Sequence, residues 1–523
     1  MVERSHTHDT VPEMGAFRCR YQDILFLALY VTLVVAAVLN FPRGISQYHK
    51  EHVVFISFGA IGIWRYSWWL NHLIRSLLYR CIIFPRRRMK ADDLWRSGWR
   101  PNCIFVMMTT YNELPETTEK VLQTLLDECH DVGVPVKLFV GTGAPVDEHI
   151  ITQFFFKHKP RIPFEVHIVR QKLPGKRYAI GETLREIIKN GLETNDPVIF
   201  MDGDTFFVSG CLRRCLPFFQ LYPKMQALTT YETAIVKNGP LWLKKWLDMR
   251  FAQRDLTMQS YALSDKILTL TGRMSIFRGH HLLEPAFIDI VEHDHLKDWL
   301  WGDYRFLSGD DKSTWYYLLK HKADMFYIPD ASTVTIEYIH GSAVNRMIEN
   351  LRRWNGNTLR NGARAIALGP RTVGYFIWWC LIDQRLAVWT MLWGHMITVV
   401  LALTVTPLFI YVTFVWIAAT RFCMSLILYK HARRIDISFP FLMYISQLAG
   451  MFVKIYILFR LPQQRWKNRG NQQAGFNPQA RLRLKYWIAN YLTMFYCVYC
   501  LLFILLYLNV VSLPTLMDIK SLF

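Results

Sequence analysis

The sequence predicts an α/β domain, with a largely parallel sheet, inserted between membrane-spanning and interfacial helices. Three observations carry that prediction. Long apolar runs gather at the two ends of the 523-residue chain. The stretch between them alternates short apolar runs with helical segments, the pattern of a sheet covered by helices. Basic residues cluster beside the apolar runs, as the positive-inside bias of membrane proteins requires. The chain is 52% hydrophobic and carries a formal net charge of +20. The apolar content excludes an intrinsically disordered protein, and the length argues against one soluble core.

Residues 1–90 read as a polar tail and two membrane helices. Met1 to Arg20 carries no cleavable-signal pattern, and the apolar run Asp23–Phe41 is expected to stay as an anchor. A second apolar run begins at Val53 and extends towards Phe84, with Arg65, His72, Arg75 and Arg80 in its second half. Arg86, Arg87, Arg88 and Lys90 follow and mark its cytoplasmic end.

Residues 91–369 form the α/β section. Cys103–Thr109, Val136–Val140 and Pro197–Met201 read as strands, and Thr117–Cys129 and Arg177–Asn190 as helices. In residues 370–523 the apolar character returns. Gly374–Leu392, interrupted by Asp383, Gln384 and Arg385, reads as an interfacial helix leading into a span. Leu386–Tyr429 reads as a hairpin of two spans, followed by basic Lys430, Arg433 and Arg434. Ser438–Phe459 is expected to lie in the interface, which keeps the basic loop 460–485 cytosolic, and Trp487–Val511 is the final span. About five spans are expected. The ten cysteines do not have the spacing of a disulfide framework, and Cys497 and Cys500 read as packing residues.

Chemistry concentrates in two acidic words. Asp202-Gly203-Asp204 follows an apolar strand, so its carboxylates can share Mg²⁺ or Mn²⁺ and a diphosphate. Gly309-Asp310-Asp311-Lys312 offers one carboxylate as a general base towards a sugar hydroxyl while backbone donors hold its neighbour. A capped helix start explains the same residues equally well. Three further words fit a nucleotide-sugar site. Tyr111-Asn112-Glu113 follows the first strand, with Tyr111 towards a nucleobase; Lys176 and Arg177 open a helix where a diphosphate would lie; Arg352-Arg353-Trp354 combines stacking with charge. His293 and His295, among Glu292, Asp294 and Asp298, read as a solvated acidic turn, and His280 and His281 have no assigned role.

In the order TYNE, GKR, DGD, GDD and RW, the chain resembles the processive family-2 glycosyltransferases, among them the cellulose, chitin and hyaluronan synthases. That resemblance implies a GT-A-like cytosolic domain and an inverting transfer to a growing polysaccharide passed through the chain's own channel. It implies Asp204 as principal metal ligand, Asp202 at the nucleotide or metal, Asp311 as base beside Asp310, Tyr111 near the nucleobase, and Arg353 and Trp354 at the acceptor and diphosphate. Arg465, Trp466, Lys467 and Arg469 in the basic loop resemble that family's gating loop. The longer words GIWRYS, RFAQR, TGRMSIFR, GDDKSTW and DQR resemble the mannuronan synthase subunits of bacterial alginate biosynthesis. They imply GDP-mannuronate as donor, a β-1,4 product and the bacterial inner membrane, with Trp315 at the substrate. A membrane partner is expected to carry the PilZ domain that binds cyclic di-GMP. An acidic sugar needs a cation, and Arg273 is the candidate.

The chain departs from the general family in two places. The acidic pair after the second strand is replaced by Val140–Pro145, with Asp147 as candidate substitute, and the Gln before RW is replaced by Asn350 or Leu351. The alternative within the class is a polysaccharide synthase using a UDP-sugar. A transporter would not need the α/β section, and no basic-aromatic module points to nucleic acid.

Overall fold

The structure, a computed structural model, describes residues 21–40, 52–428, 431–432, 436–466, 472–474 and 480–512. Lys430, Arg433 and Arg434 lie outside the described residues. The central section holds ten strands. They are β1 (Ile104–Thr110), β2 (Val136–Thr142), β3 (Phe164–Arg170), β4 (Pro197–Asp202), β5 (Thr205–Phe207), β6 (Met225–Lys237), β7 (Met274–Arg278), β8 (His295–Asp298), β9 (Gly302–Arg305) and β10 (Asp324–Tyr338).

Eight of them make one sheet in the order β3-β2-β1-β4-β7-β6-β10-β5, and β8 pairs with β9. The first four run parallel. Beyond β4 the sheet is mixed: β7 is antiparallel to both β4 and β6, and β5 is antiparallel to β10. Apolar runs alternating with helices do not encode strand direction, so the mixed half was not visible in the pattern. Every residue of β1 is buried. This explains its continuous apolar run, since a central parallel strand is covered on both faces.

Helices cover the sheet. The helix Pro115–Val132 starts on a proline and stops at left-handed Gly133, both ordinary boundary devices. The helix Lys176–Lys189 opens at Gly175. The order β3-β2-β1-β4 reverses between β1 and β4, and Thr109 pairs with Asp202 there. A crevice at the strand ends beside such a reversal is where open α/β sheets bind ligands.

The N-terminal helices Tyr21–Leu39 and His52–Leu78 precede the sheet. The second runs through a five-residue π-helical segment, Tyr79–Ile83, into the helix Phe84–Arg96. The basic cluster there does more than mark a membrane boundary. Arg87 pairs with Asp265 at 2.8 Å and Arg88 with Asp330 at 2.6 Å, docking the helix onto the domain. The polar residues of His52–Leu78 also face protein. His72 Nδ1 is hydrogen-bonded to Ser260 Oγ at 2.8 Å, and Arg75 donates to Ser264 Oγ at 2.6 Å.

Among the described residues four helices are long and apolar enough to cross a membrane: Tyr375–Thr404, Leu408–Leu428, Phe439–Leu458 and the part Leu482–Tyr507 of the last helix. Ala28–Leu39 is a shorter apolar segment. The segment expected in the interface therefore has the length and composition of a span. It packs along Ala343–Ala367, a long helix that buries Asn350, Asn357, Arg360 and Asn361.

Candidate active site

The site is built at the ends of β1 and β4. Asp202 closes β4 and accepts a hydrogen bond from Thr109 Oγ1 at 3.3 Å. Gly203 follows because a Cβ there would lie 2.8 Å from the Thr110 side chain. Asp204 comes next and accepts from Thr205 Oγ1 at 3.1 Å. Burial, and then the neighbouring Asp202 charge, push the Asp204 carboxyl up to about 6.

The second acidic word meets the first across a lysine. Gly309 adopts φ +86°, and a Cβ there would lie 2.8 Å from the Asn357 side chain, so glycine is required on both grounds. The helix Asp310–Lys320 starts after it. Lys176 Nζ lies 2.6 Å from Asp202 Oδ1 and 3.1 Å from Asp310 Oδ2, tying the two words together. Burial would raise the Asp310 carboxyl, but Lys176 and Arg177 outweigh it and hold Asp310 below its ordinary value. Asp311 is pushed up to about 6 by burial and by Asp310 beside it. Two adjacent carboxyls thus differ in proton affinity, the separation expected where one acts as a base.

The Tyr111-Asn112-Glu113 loop is held from below. Asn112 has φ +50°, and the amides of Asn112 and Glu113 donate to Asp147 at 2.8 and 3.3 Å. Asp147 is fully buried. Its carboxylate therefore shapes the loop and does not face the cavity, contrary to its expected role as substitute for the acidic pair. A Cβ at Gly143 would lie 2.7 Å from the Tyr111 ring, so the small residues after β2 make room for Tyr111.

One cavity of about 1260 Å³ contains Tyr111, Asn112, Glu113, Lys176, Asp202, Asp204, Asp310, Asp311, Arg273, Arg353 and Trp354 along its wall. Trp354 stacks on Trp246 with centroids 5.8 Å apart. Arg273 reaches Glu232 at 3.5 Å and Glu337 at 3.3 Å, and those acids also meet Arg254 and Arg346. Its charge is thus already spent on two buried carboxylates. Arg353 lines the same wall and, among the described residues, has no ion-pair partner.

Two expected site residues lie elsewhere. Arg177 is buried and donates to the Val291 and Ser308 carbonyls and to Ser313 Oγ, so it braces the scaffold and does not meet a diphosphate. Trp315 is 1% exposed and donates its indole N–H to the Ile267 carbonyl at 2.7 Å, a core position. Trp466 ends a short strand, Gln464–Trp466; its side chain, with Lys467 and Arg469, lies outside the described residues. Asn350 and Leu351 are buried in the helix that carries Arg353. The acidic turn is solvated only in part: His295 is exposed, whereas Asp294 is buried and paired with Arg364 at 2.5 Å and Glu292 is buried and paired with Arg185.

The structure adds residues that the sequence did not single out. Gly272, in the word TGR, sits where a Cβ would be 3.1 Å from Lys176 Nζ. Gln464, at the root of the basic loop, accepts from the Leu307 and Ser308 amides at 3.0 and 3.3 Å, just before the second acidic word. A glycine next to a recognised arginine was an available signal; the glutamine had none.

Residues 101–357 match the model of the family described as glycosyltransferase like family 2. The glycosyltransferase Alg8 of Pseudomonas syringae pv. tomato is 34% identical over 438 residues, 84% of this chain and 88% of that protein. The chain belongs to the family-2 glycosyltransferases, in the alginate-related Alg8 branch. Alg8 of Azotobacter vinelandii is 32% identical over 444 residues, 85% of this chain and 89% of that protein. Among solved structures, the mannosyltransferase PcManGT from Pyrobaculum calidifontis, in complex with GDP-Man and Mn²⁺, is similar at a TM-score of 0.47 and 15% identity, over 78% of this chain and 98% of that one. The glycosyltransferase described here joins a family-2 domain to helices long and apolar enough to cross a membrane.

Proposed function

We propose that this glycosyltransferase polymerises mannuronic acid from GDP-mannuronate into β-1,4-mannuronan, the alginate precursor, and passes it across the bacterial inner membrane. The observation that carries the reading is that Lys176 joins Asp202 to Asp310, with Asp204 and Asp311 on the same cavity. The same cavity reaches residues of the apolar helices, among them Asp383, Gln384, Gln447 and Lys454, so a product has a path towards the bilayer. The resemblance of the long words in the sequence supports the uronate donor, and the Alg8 relatives support a glycosyltransferase.

The residues fit a divalent cation. Asp204 lies two residues from Asp202 on the same cavity, and burial, then the Asp202 charge, raise its carboxyl, so a cation there would relieve the pair. Asp204, with Asp202, would hold Mg²⁺ or Mn²⁺, which supplies charge neutralisation for a departing diphosphate. Asp311 takes the proton from the acceptor hydroxyl as that oxygen bonds to the anomeric carbon and the bond to GDP breaks. Lys176 keeps Asp310 ionised and in place, so Asp311 remains the more basic of the pair. Tyr111 flanks the nucleobase, and Arg353 with Trp354 holds the acceptor end. Trp466, Lys467 and Arg469 of the basic loop 460–485 serve the diphosphate, and a membrane partner with a PilZ domain supplies control by cyclic di-GMP. Incubating membranes with labelled GDP-mannuronate and, separately, UDP-sugars tests the donor: uronate polymer supports the reading, and polymer from a UDP-sugar alone refutes it.

A further inference from the structure

We infer that the inner end of the cavity, between the apolar helices, is a subsite for a sugar carboxylate of the product chain, formed by Arg250 and Lys454 beside the Arg65–Asp383 pair. The inference rests on the uronate-polymer reading above. Lys454 is the sole charged residue of the helix Phe439–Leu458. Among the described residues its ammonium finds the Gln384 carbonyl alone, at 3.4 Å. The charges that face it are Arg250, Arg65 and Asp383. Arg65 is already paired with Asp383. Arg250 donates to Gln253 Oε1 at 3.0 Å, its buried Nε has no hydrogen-bond partner, and among the described residues it has no ion pair.

Three cations therefore face one carboxylate where the cavity meets helices suited to a membrane. Charges there are costly and mark a ligand path unless they are paired. Burial alone does not identify the missing anion, but continuity does. Arg65, Arg250, Asp383 and Lys454 line the same cavity as Asp311 and Arg353. A chain growing from the catalytic acids would reach this end through the same cavity, and a polymer of uronic acid brings one carboxylate per sugar. A neutral polymer would leave Arg250 and Lys454 uncompensated. A lipid phosphate carries a suitable charge but would have to enter from outside that path.

The test uses the detergent-solubilised full chain. Binding of a mannuronate tetramer and of a neutral mannose tetramer is measured alongside product length from GDP-mannuronate. Lys454→Gln and Arg250→Gln should each weaken the mannuronate tetramer by about tenfold or more and shorten the product, leaving the neutral tetramer unchanged. Lys454→Arg should retain both properties, which separates lost charge from lost fold. Unchanged uronate affinity and product length in both glutamine variants overturns the subsite, as does equal weakening of both tetramers. Lys454-dependent binding of phosphatidylglycerol vesicles in place of the tetramer also overturns it, in favour of a lipid site. A wild-type chain that makes mannuronan while both variants are silent refutes the subsite alone. A wild-type chain that polymerises only a neutral sugar refutes the function and the subsite together.

Discussion

Lys176 Nζ lies 2.6 Å from Asp202 Oδ1, with the lysine side chain only 5% exposed. The ammonium also meets Asp310, so one cation organises two acidic words that are far apart in the chain. Lys176→Met should remove the shared cation from buried Asp310 and half-buried Asp202. The expected cost is about 3–5 kcal/mol of stability, and a loss of roughly 100-fold or more in transfer rate. Thermal melting and GDP release measure the two effects. A stable, active variant would remove Lys176 from the site.

Asp311 supports a pH prediction. Its carboxyl is raised to about 6 by burial and by Asp310, and a base must be ionised to work. The rate should rise with pH through about 6 and then level. Stability runs the other way: a carboxyl whose folded pKa exceeds the unfolded value contributes stability at low pH that is lost as pH rises through about 6. Asp311→Asn should therefore abolish transfer yet melt at a higher temperature than wild type at pH 7.5, with the advantage shrinking towards pH 4. An unchanged melting profile would contradict the burial argument.

The pair of words DGD and GDD, and the strand before the first, were legible because a short apolar run ending in acids reports position directly. The neighbours of those acids were not. In the word GKR, Lys176 reaches the acids, whereas Arg177 is turned about 100° around the same helix and faces Val291 and Ser308. Trp315 lies four residues past Asp311, but it packs towards Ile267 in the core. Asp147 read as a base contact because it follows β2; the fold uses it to hold the amides of the next loop over. Contacts between segments distant in sequence decided each case, and no local pattern encodes them. The α/β domain and the apolar ends were legible from alternation and hydropathy, while the mixed strand directions were not.

Arg273 and Arg353 should behave differently when truncated. Arg273→Ala leaves Glu232 with Arg254 alone and Glu337 with Arg346 alone, and should cost about 1–3 kcal/mol of stability. Arg353→Ala breaks no ion pair among the described residues, so stability should change little while KM for the donor or acceptor rises by about tenfold. Equilibrium melting with steady-state kinetics separates them. A destabilised Arg353→Ala with an unchanged KM would reverse the assignment.

Gly272→Ala tests the packing around the lysine. The added Cβ would lie 3.1 Å from Lys176 Nζ and 3.6 Å from Asp310 Oδ2. The flexible ammonium can move aside, so the fold should survive while the rate falls by roughly tenfold through misplacement of the acids. Full activity in this variant would show that the position of Lys176 is not critical.

The most direct measurement is transfer from labelled GDP-mannuronate by the purified full chain, with wild type and Asp311→Asn compared in Mg²⁺, in Mn²⁺ and after chelation. The wild type should form an alkali-stable uronate polymer and GDP with either ion and neither product after chelation, while Asp311→Asn binds the donor and makes no polymer. Polymer formation by Asp311→Asn, or a wild type that releases no GDP from this donor with either ion, would contradict it.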